Sequence, residues 1–321
     1  MVNGTSLSGE SKPYRLLTYG AMESARAGLL IDDSVYDAAR ITGVSAWCSV
    51  MAVLAEWDRA RIAFAEVVSQ MSSTAARLDG YRLDDLELQA PVLYPGSIFC
   101  AGSNYADHLA EMAKAAGRAP GPNMRDLGEM PWHFLKTSRS SVVGDGAKIP
   151  LPAGAQCVDW EIELVAVIGK VAKDVPMDDA LSYVAGYTIA NDLSARDLMK
   201  RAKNAPASPF YFDWIGHKCF DGSCPLGPWI VPASEIPEPG NLGLKLWVGD
   251  ELMQDSNTNQ MIFSVAEQIA ALSSRVSLHP GDVVLTGTPA GVGNGRQRFL
   301  QRGEQVRMWI ENIGELTHTM V

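Results

Sequence analysis

Residues 159–170 read DWEIELVAVIGK, and the assignment of this stretch decides the fold. Side chains alternate across an extended chain, so Glu161 and Glu163 share one face, while Leu164 to Ile168 form an apolar run suited to a buried strand. A core strand with two neighbouring carboxylates needs something to neutralise them, because leaving one ionised carboxylate unpaired in a low-dielectric interior costs several kcal/mol.

Working outward, comparable short apolar runs recur between Gly, Pro and Asp turns: SIFCAGSNY (97–105), GYTIAND (186–192), LGPWIV (226–231), LGLKLWV (242–248), DVVLTG (282–287) and QVRMWIEN (305–312). Few long helical patterns interrupt them, which favours a β-rich α+β fold over a doubly wound parallel sheet. Two helices are predicted in this region. One starts at PMDDALSYVAG (176–186) with Gly186 as its stop, and the other starts at Ser264, where SVAE has the form of a capping box with Glu267. Before residue 90, YRLLTYG (14–20) and RAGLLIDDSVYDAA (26–39) alternate like strands. Val50, Val53, Leu54, Trp57, Phe64, Val68 and Met71 then follow at helical spacing. This predicts a small N-terminal αβ domain over 1–90 and a larger β-rich domain over 91–321, joined through the proline-bearing QAPVLYPG (89–96).

The 321 residues suffice for one large domain or a large and a small one, and a mean hydropathy of −0.01 is that of an ordinary soluble protein. A formal charge of −10 without a basic run argues against nucleic acid as a partner. The five cysteines are scattered and form no C-x-x-C pair, as expected of free thiols in a reducing compartment. Neither a signal-peptide pattern nor an apolar segment of membrane-spanning length is evident, so a cytoplasmic location is expected.

Four groups of residues could carry chemistry. Glu161, Glu163 and Asp192, which ends the run YTIAND, would give a hard divalent cation three carboxylates from two neighbouring strands. The plainer alternative pairs one Glu with Lys170 or Arg196 and leaves the other at an exposed edge. In GSNYADHLAEM (102–112), His108 and Glu111 would share a helix face as a water-activating pair, with Gly102 and Gly117 allowing a lid to move; otherwise they are an exposed helical turn. Lys218 precedes a Gly/Pro-rich turn among apolar neighbours, where it could receive a carboxylate or an oxyanion. In GDVVLTGTPAGVG (281–293), Thr286, Thr288 and backbone N–H groups could hold a small anion. His133, His217, His279 and His318 show no zinc spacing, and there is no G-x-S-x-G elbow.

Taken in order, GSNYADHLAEM, DWEIELVAVIGK, GYTIANDLSARD, KCFDGSCPLGPW and LTGTPAGVG resemble the fumarylacetoacetate hydrolase family from about Ile98 to the C-terminus. The resemblance implies a mixed β-roll, a homodimer, and a Mg²⁺ or Mn²⁺ ion on Glu161, Glu163 and Asp192. It also implies a catalytic His108, Glu111 and Lys218, with Arg196, Thr288, Met199 and Tyr105 lining a site for a small 2-oxo acid. Met199 departs from the glutamine of many small members, and the stretches 118–132 and 198–216 are longer than in compact ones. On this basis the expected activity is hydrolysis of a carbon–carbon bond in a 2,4-dioxo acid of the acylpyruvate type. The alternative is isomerisation, decarboxylation or dehydration of a 2-oxo acid through an enolate.

Overall fold

The computed structural model describes residues 13–73 and 79–321. It is strand-rich with short helices between strands, the α+β arrangement expected from the run pattern. Among the described residues the strands form sheets of twelve, five and two members. Ile162–Ile168 is central in the largest. It pairs antiparallel with Val184–Asn191 on one side (Ile162 opposite Asn191) and with Val283–Leu285 on the other (Val165 opposite Leu285). Cys224–Pro232 continues the sheet beyond Val184–Asn191, while Ile98–Ala101 and then His133–Lys136 continue it beyond Val283–Leu285.

The unbroken apolar run has a direct cause, since both faces of this strand are covered. Leu164, Ala166 and Ile168 pack into one core with Leu244, Leu246 and Met308 of the five-stranded sheet. Val165 and Val167 pack into a second core with Val53, Leu54 and Phe64 of the N-terminal helices Val50–Ala55 and Trp57–Ser73. The N-terminal strands Arg15–Tyr19, Arg26–Ile31 and Ser34–Asp37 belong to the same sheet, because Arg15–Tyr19 pairs with Cys224–Pro232, Leu16 lying opposite Ile230.

Helix Val265–Arg275 begins at Ser264 with both bonds of the predicted capping box. The other predicted helix is corrected. Met177–Tyr183 is a short 3-10 turn, and the chain enters the strand Val184–Asn191 before reaching Gly186. Gly186 is therefore no helix stop. It sits where two strands come close, and a Cβ there would lie 2.2 Å from the Val231 carbonyl oxygen. No described helix is long and apolar enough to cross a membrane.

Candidate metal centre and active site

Strand register builds the acidic cluster. Glu161 and Glu163 flank Ile162, the first residue of the central strand, and Asp192 follows Asn191, its partner across the ladder. Asn191 fixes the junction by accepting the Glu161 N–H at 2.8 Å, and the Asp192 N–H donates to the Glu161 carbonyl at 2.9 Å. One carboxylate oxygen from each of Glu161, Glu163 and Asp192 lies within 4.8 Å of the others, and all three residues are buried.

The ion-pair alternative holds only in part, because Glu163 is buried rather than at an exposed edge. Glu161 is indeed ion-paired to Arg196, yet Lys218 also reaches the cluster, 2.9 Å from Glu161 Oε2 and 2.6 Å from Asp192 Oδ2. Lys170 lies elsewhere, beside Asp58 at 3.3 Å. Sequence reasoning missed Lys136, whose wholly buried ammonium donates to Asp192 Oδ1 at 2.7 Å and to the Leu193 carbonyl at 3.1 Å. It also left Asp159 without a role. Asp159 accepts from Arg196 Nε at 2.8 Å and from the N–H groups of Gly293 and Asn294 at 2.6 and 3.0 Å. The available signal was the same in both cases, a charged residue inside an otherwise apolar strand segment.

These contacts divide the carboxylates sharply. Burial works to raise the Glu161 carboxyl, but the ammonium of Lys218 and the guanidinium of Arg196 outweigh it and hold Glu161 well below the usual range. At Glu163, burial and the neighbouring Asp192 and Glu161 charges act together and push the carboxyl well above it. Its contact from the opposing loop is the Gly287 N–H, at 2.5 Å, and no cation pairs with it directly among the described residues. A buried, all-oxygen set with one uncompensated carboxyl is what a hard cation fits. Mg²⁺ or Mn²⁺ held by Glu161, Glu163 and Asp192 would favour the ionised form of Glu163 and compensate its charge, sharing the remaining oxygens with Lys218.

The glycine-rich loop acts differently from the expectation of a small-anion cradle, because its N–H groups hold the protein's own acids. Gly287 donates to Glu163, Gly293 to Asp159, and Gly291 to Glu111 Oε2 at 2.9 Å. Gly291 has φ +101°, and a Cβ there would lie 2.1 Å from the Met253 carbonyl oxygen, so no other residue fits without displacing backbone. Thr286 donates to the Leu164 carbonyl at 2.8 Å. Thr288 is fixed by buried Gln254, which donates to its hydroxyl at 2.9 Å and accepts the Ile162 N–H at 3.1 Å. Gln254 was not singled out from the sequence.

His108 and Glu111 lie on one face of helix Ala106–Ala115, whose start is tied down by Asn104 through bonds to Phe263 and Thr286. His108 Nδ1 and Glu111 Oε2 are 3.9 Å apart, too far for a hydrogen bond. His108 Nδ1 is buried with no hydrogen-bond partner among the described residues, although the ring is close enough to add to the depression of Glu161. Burial tends to raise Glu111, but His108 and the Gly291 N–H lower it on balance. Tyr105 is fully buried in the core, and Met199, half-buried, ends the turn Arg196–Leu198.

A buried triple-carboxylate centre flanked by two lysines, an arginine and a His/Glu helix, on a mixed β-fold, could hold a metal ion. Residues 97–321 match the family fumarylacetoacetate (FAA) hydrolase C-terminal, and the chain belongs to this family. Oxaloacetate tautomerase FAHD2B, mitochondrial, from Homo sapiens is 39% identical over 249 residues, 77% of this chain and 73% of that protein. Among solved structures, a putative HpcE protein from Mycobacterium smegmatis has a TM-score of 0.75 at 34% identity, covering 96% of this chain and 99% of that one. Maleylpyruvate hydrolase from Sphingobium sp. SYK-6, in complex with manganese(II) ion and pyruvate, has a TM-score of 0.70 at 27% identity, covering 96% and 98%. Hydrolase and tautomerase names thus both occur among its relatives.

Proposed function

We propose that this chain is a Mg²⁺- or Mn²⁺-dependent enzyme that moves a proton at the carbon next to the carbonyl of a 2-oxo acid, interconverting keto and enol forms. The observation that carries the reading is the convergence of Lys136, Lys218 and Arg196 on the buried carboxylates Asp159, Glu161 and Asp192, beside the unpaired Glu163. The metal would supply Lewis-acid polarisation of the 2-oxo acid's oxygens.

The rest falls to the chain. Proton removal beside a carbonyl leaves an enolate, whose charge is costly in water and cheaper in a dry site with fixed cations. The two buried ammonium groups are fixed by the same Asp192 and would face that charge with little reorganisation. Arg196, clamped by Asp159 and Glu161, and Thr288, oriented by Gln254, would direct the acid end. Tautomerisation needs a single base, which His108 or Glu111 alone can provide. Their separation of 3.9 Å in this conformation fits independent action better than a relay.

The second reading is carbon–carbon hydrolysis of an acylpyruvate, favoured by the retention of both His108 and Glu111 and by the likeness to a maleylpyruvate hydrolase. It uses the same enolate but adds water attack, for which the helix would have to bring the pair into line. One experiment separates the two. The purified protein with Mg²⁺ is given the enol form of oxaloacetate and, separately, a panel of acylpyruvates, each with an EDTA control. EDTA-sensitive acceleration of enol decay with intact acylpyruvates supports tautomerisation. Release of pyruvate and the matching acid would overturn it in favour of hydrolysis.

A further inference from the structure

Trp132, Phe134 and Lys136 alternate along the edge strand of the sheet, since the Gly102 N–H bonds to the Trp132 carbonyl and so extends the strand register by one residue. They therefore share one face. Trp214 and Lys218 lie four apart on the helix Trp214–Lys218 and also share a face. The two rows meet. The Phe134 ring stacks on Trp214 at 5.4 Å and 24°, and Lys218 Nζ lies 5.0 Å from its centroid. Trp132 closes the group, 5.7 Å from Phe134 and 5.2 Å from Trp214, and Phe212 extends it at 6.1 Å from Trp214.

Exposure grades along both rows. Trp132, Phe212 and Trp214 are 45, 46 and 37% exposed, whereas the Lys136 and Lys218 side chains are 0 and 4% exposed and grip the same carboxylate. Large rings left open at the surface, contiguous with a buried polar centre, mark a place where an apolar group docks. The charges point the same way. At the buried end an incoming carboxylate would meet the ammonium groups of Lys136 and Lys218, whereas the exposed end is a group of aromatic rings, none of which carries a charge for a second carboxylate.

We propose that Trp132, Phe134, Phe212 and Trp214 form a subsite for the distal part of the substrate, and that the preferred substrate class is a 2-oxo monocarboxylic acid bearing an aromatic or bulky apolar group. This rests on the reading of the centre as a 2-oxo acid site. The carboxylate end enters toward Lys136 and Lys218, and the apolar end stacks on the tryptophans, where each ring contributes about three- to tenfold in affinity.

The test compares phenylpyruvate with pyruvate by calorimetric titration of the Mn²⁺-loaded protein, followed by enol–keto exchange of phenylpyruvate and oxaloacetate. The variants are Trp132→Ala, Trp214→Ala and Phe212→Ala, all at exposed positions. Phenylpyruvate is expected to bind at least tenfold more tightly than pyruvate, and each variant to shrink that ratio about three- to tenfold. The ratio is insensitive to a general loss of folded protein. Equal affinities, or variants that weaken both ligands alike, would overturn the subsite. So would variants that change the oligomeric state by sedimentation while leaving the ratio intact, since the rings would then be a subunit contact. A preserved preference without exchange of either substrate would refute the tautomerase reading while sustaining the subsite.

Discussion

Glu161 and Glu163 are two residues apart and flank the first residue of one strand, yet the structure predicts opposite consequences for their replacement by glutamine in the metal-free protein. Glu161→Gln removes the carboxylate shared by Lys218 and Arg196, and breaking a buried pair by removing one partner is strongly destabilising. Lys218 keeps Asp192 and Arg196 keeps Asp159, so the cost should be about 3 kcal/mol, toward the lower end of that range. At roughly 2 °C per kcal/mol for a chain of this size, this is a fall of about 6 °C in Tm. Among the described residues no cation pairs directly with Glu163, and burial together with Asp192 and Glu161 raises its carboxyl well above the usual range, which favours its neutral form when no metal is bound. Glutamine is an isosteric neutral substitute that can still accept from Gly287, and Glu163→Gln should stay within about 1 kcal/mol of the wild type.

The pH dependence sharpens the contrast. The folded carboxyl of Glu161 is lowered, so its contribution is present above 4.5 and lost as pH falls below it. That of Glu163 is raised, so its contribution is full below 4.5 and lost as pH rises. The Glu161→Gln deficit should therefore shrink in acid, and Glu163→Gln should gain on the wild type toward alkaline pH. Scanning calorimetry in EDTA across pH reads both, and repeating it with Mn²⁺ should show the ligand-induced rise in Tm lost in each variant. Equal destabilisation of the two metal-free proteins, or a larger loss in Glu163→Gln, would refute the assignment of charge in this site.

Two further outcomes follow from the same geometry. Metal binding needs an ionised Glu163, whose carboxyl is raised, so loading Mn²⁺ should release protons, more of them as pH falls; titrations in buffers of different ionisation enthalpy measure it, and release should vanish in Glu163→Gln. Gly291→Ala would place a Cβ 2.1 Å from the Met253 carbonyl at a positive φ and shift the N–H that holds Glu111. A loss of stability of about 2 kcal/mol is expected together with a fall in kcat larger than any change in metal affinity.

Much of this architecture was legible because local chemistry and final structure agree. The short apolar runs within 226–231 and 305–312 became strands, and SVAE became a capping box, since each depends on neighbours only a few residues away. PMDDALSYVAG misled for the complementary reason. Its acidic start and terminal glycine fit a helix locally, but the close approach of Gly186 to Val231 belongs to a strand 45 residues further on. The shared helix face of His108 and Glu111 was visible in their spacing, whereas the 3.9 Å between them and the grip of Gly291 were not.

The sequence by itself singled out the acidic trio as a candidate set of oxygen donors, because two alternate glutamates before a buried run and an aspartate closing another strand need neutralising, by a metal ion or by an ion pair. It also marked His108, Lys218 and Arg196 through their motifs. Only the tertiary structure decided how the charges are shared: that Lys136 and Lys218 hold the two oxygens of Asp192, that Asp159 anchors Arg196 to the glycine loop, and that Glu163 is left without a cation. Charge sharing in a buried site depends on distances of a few ångströms between residues far apart in the chain, and register and loop packing set those distances.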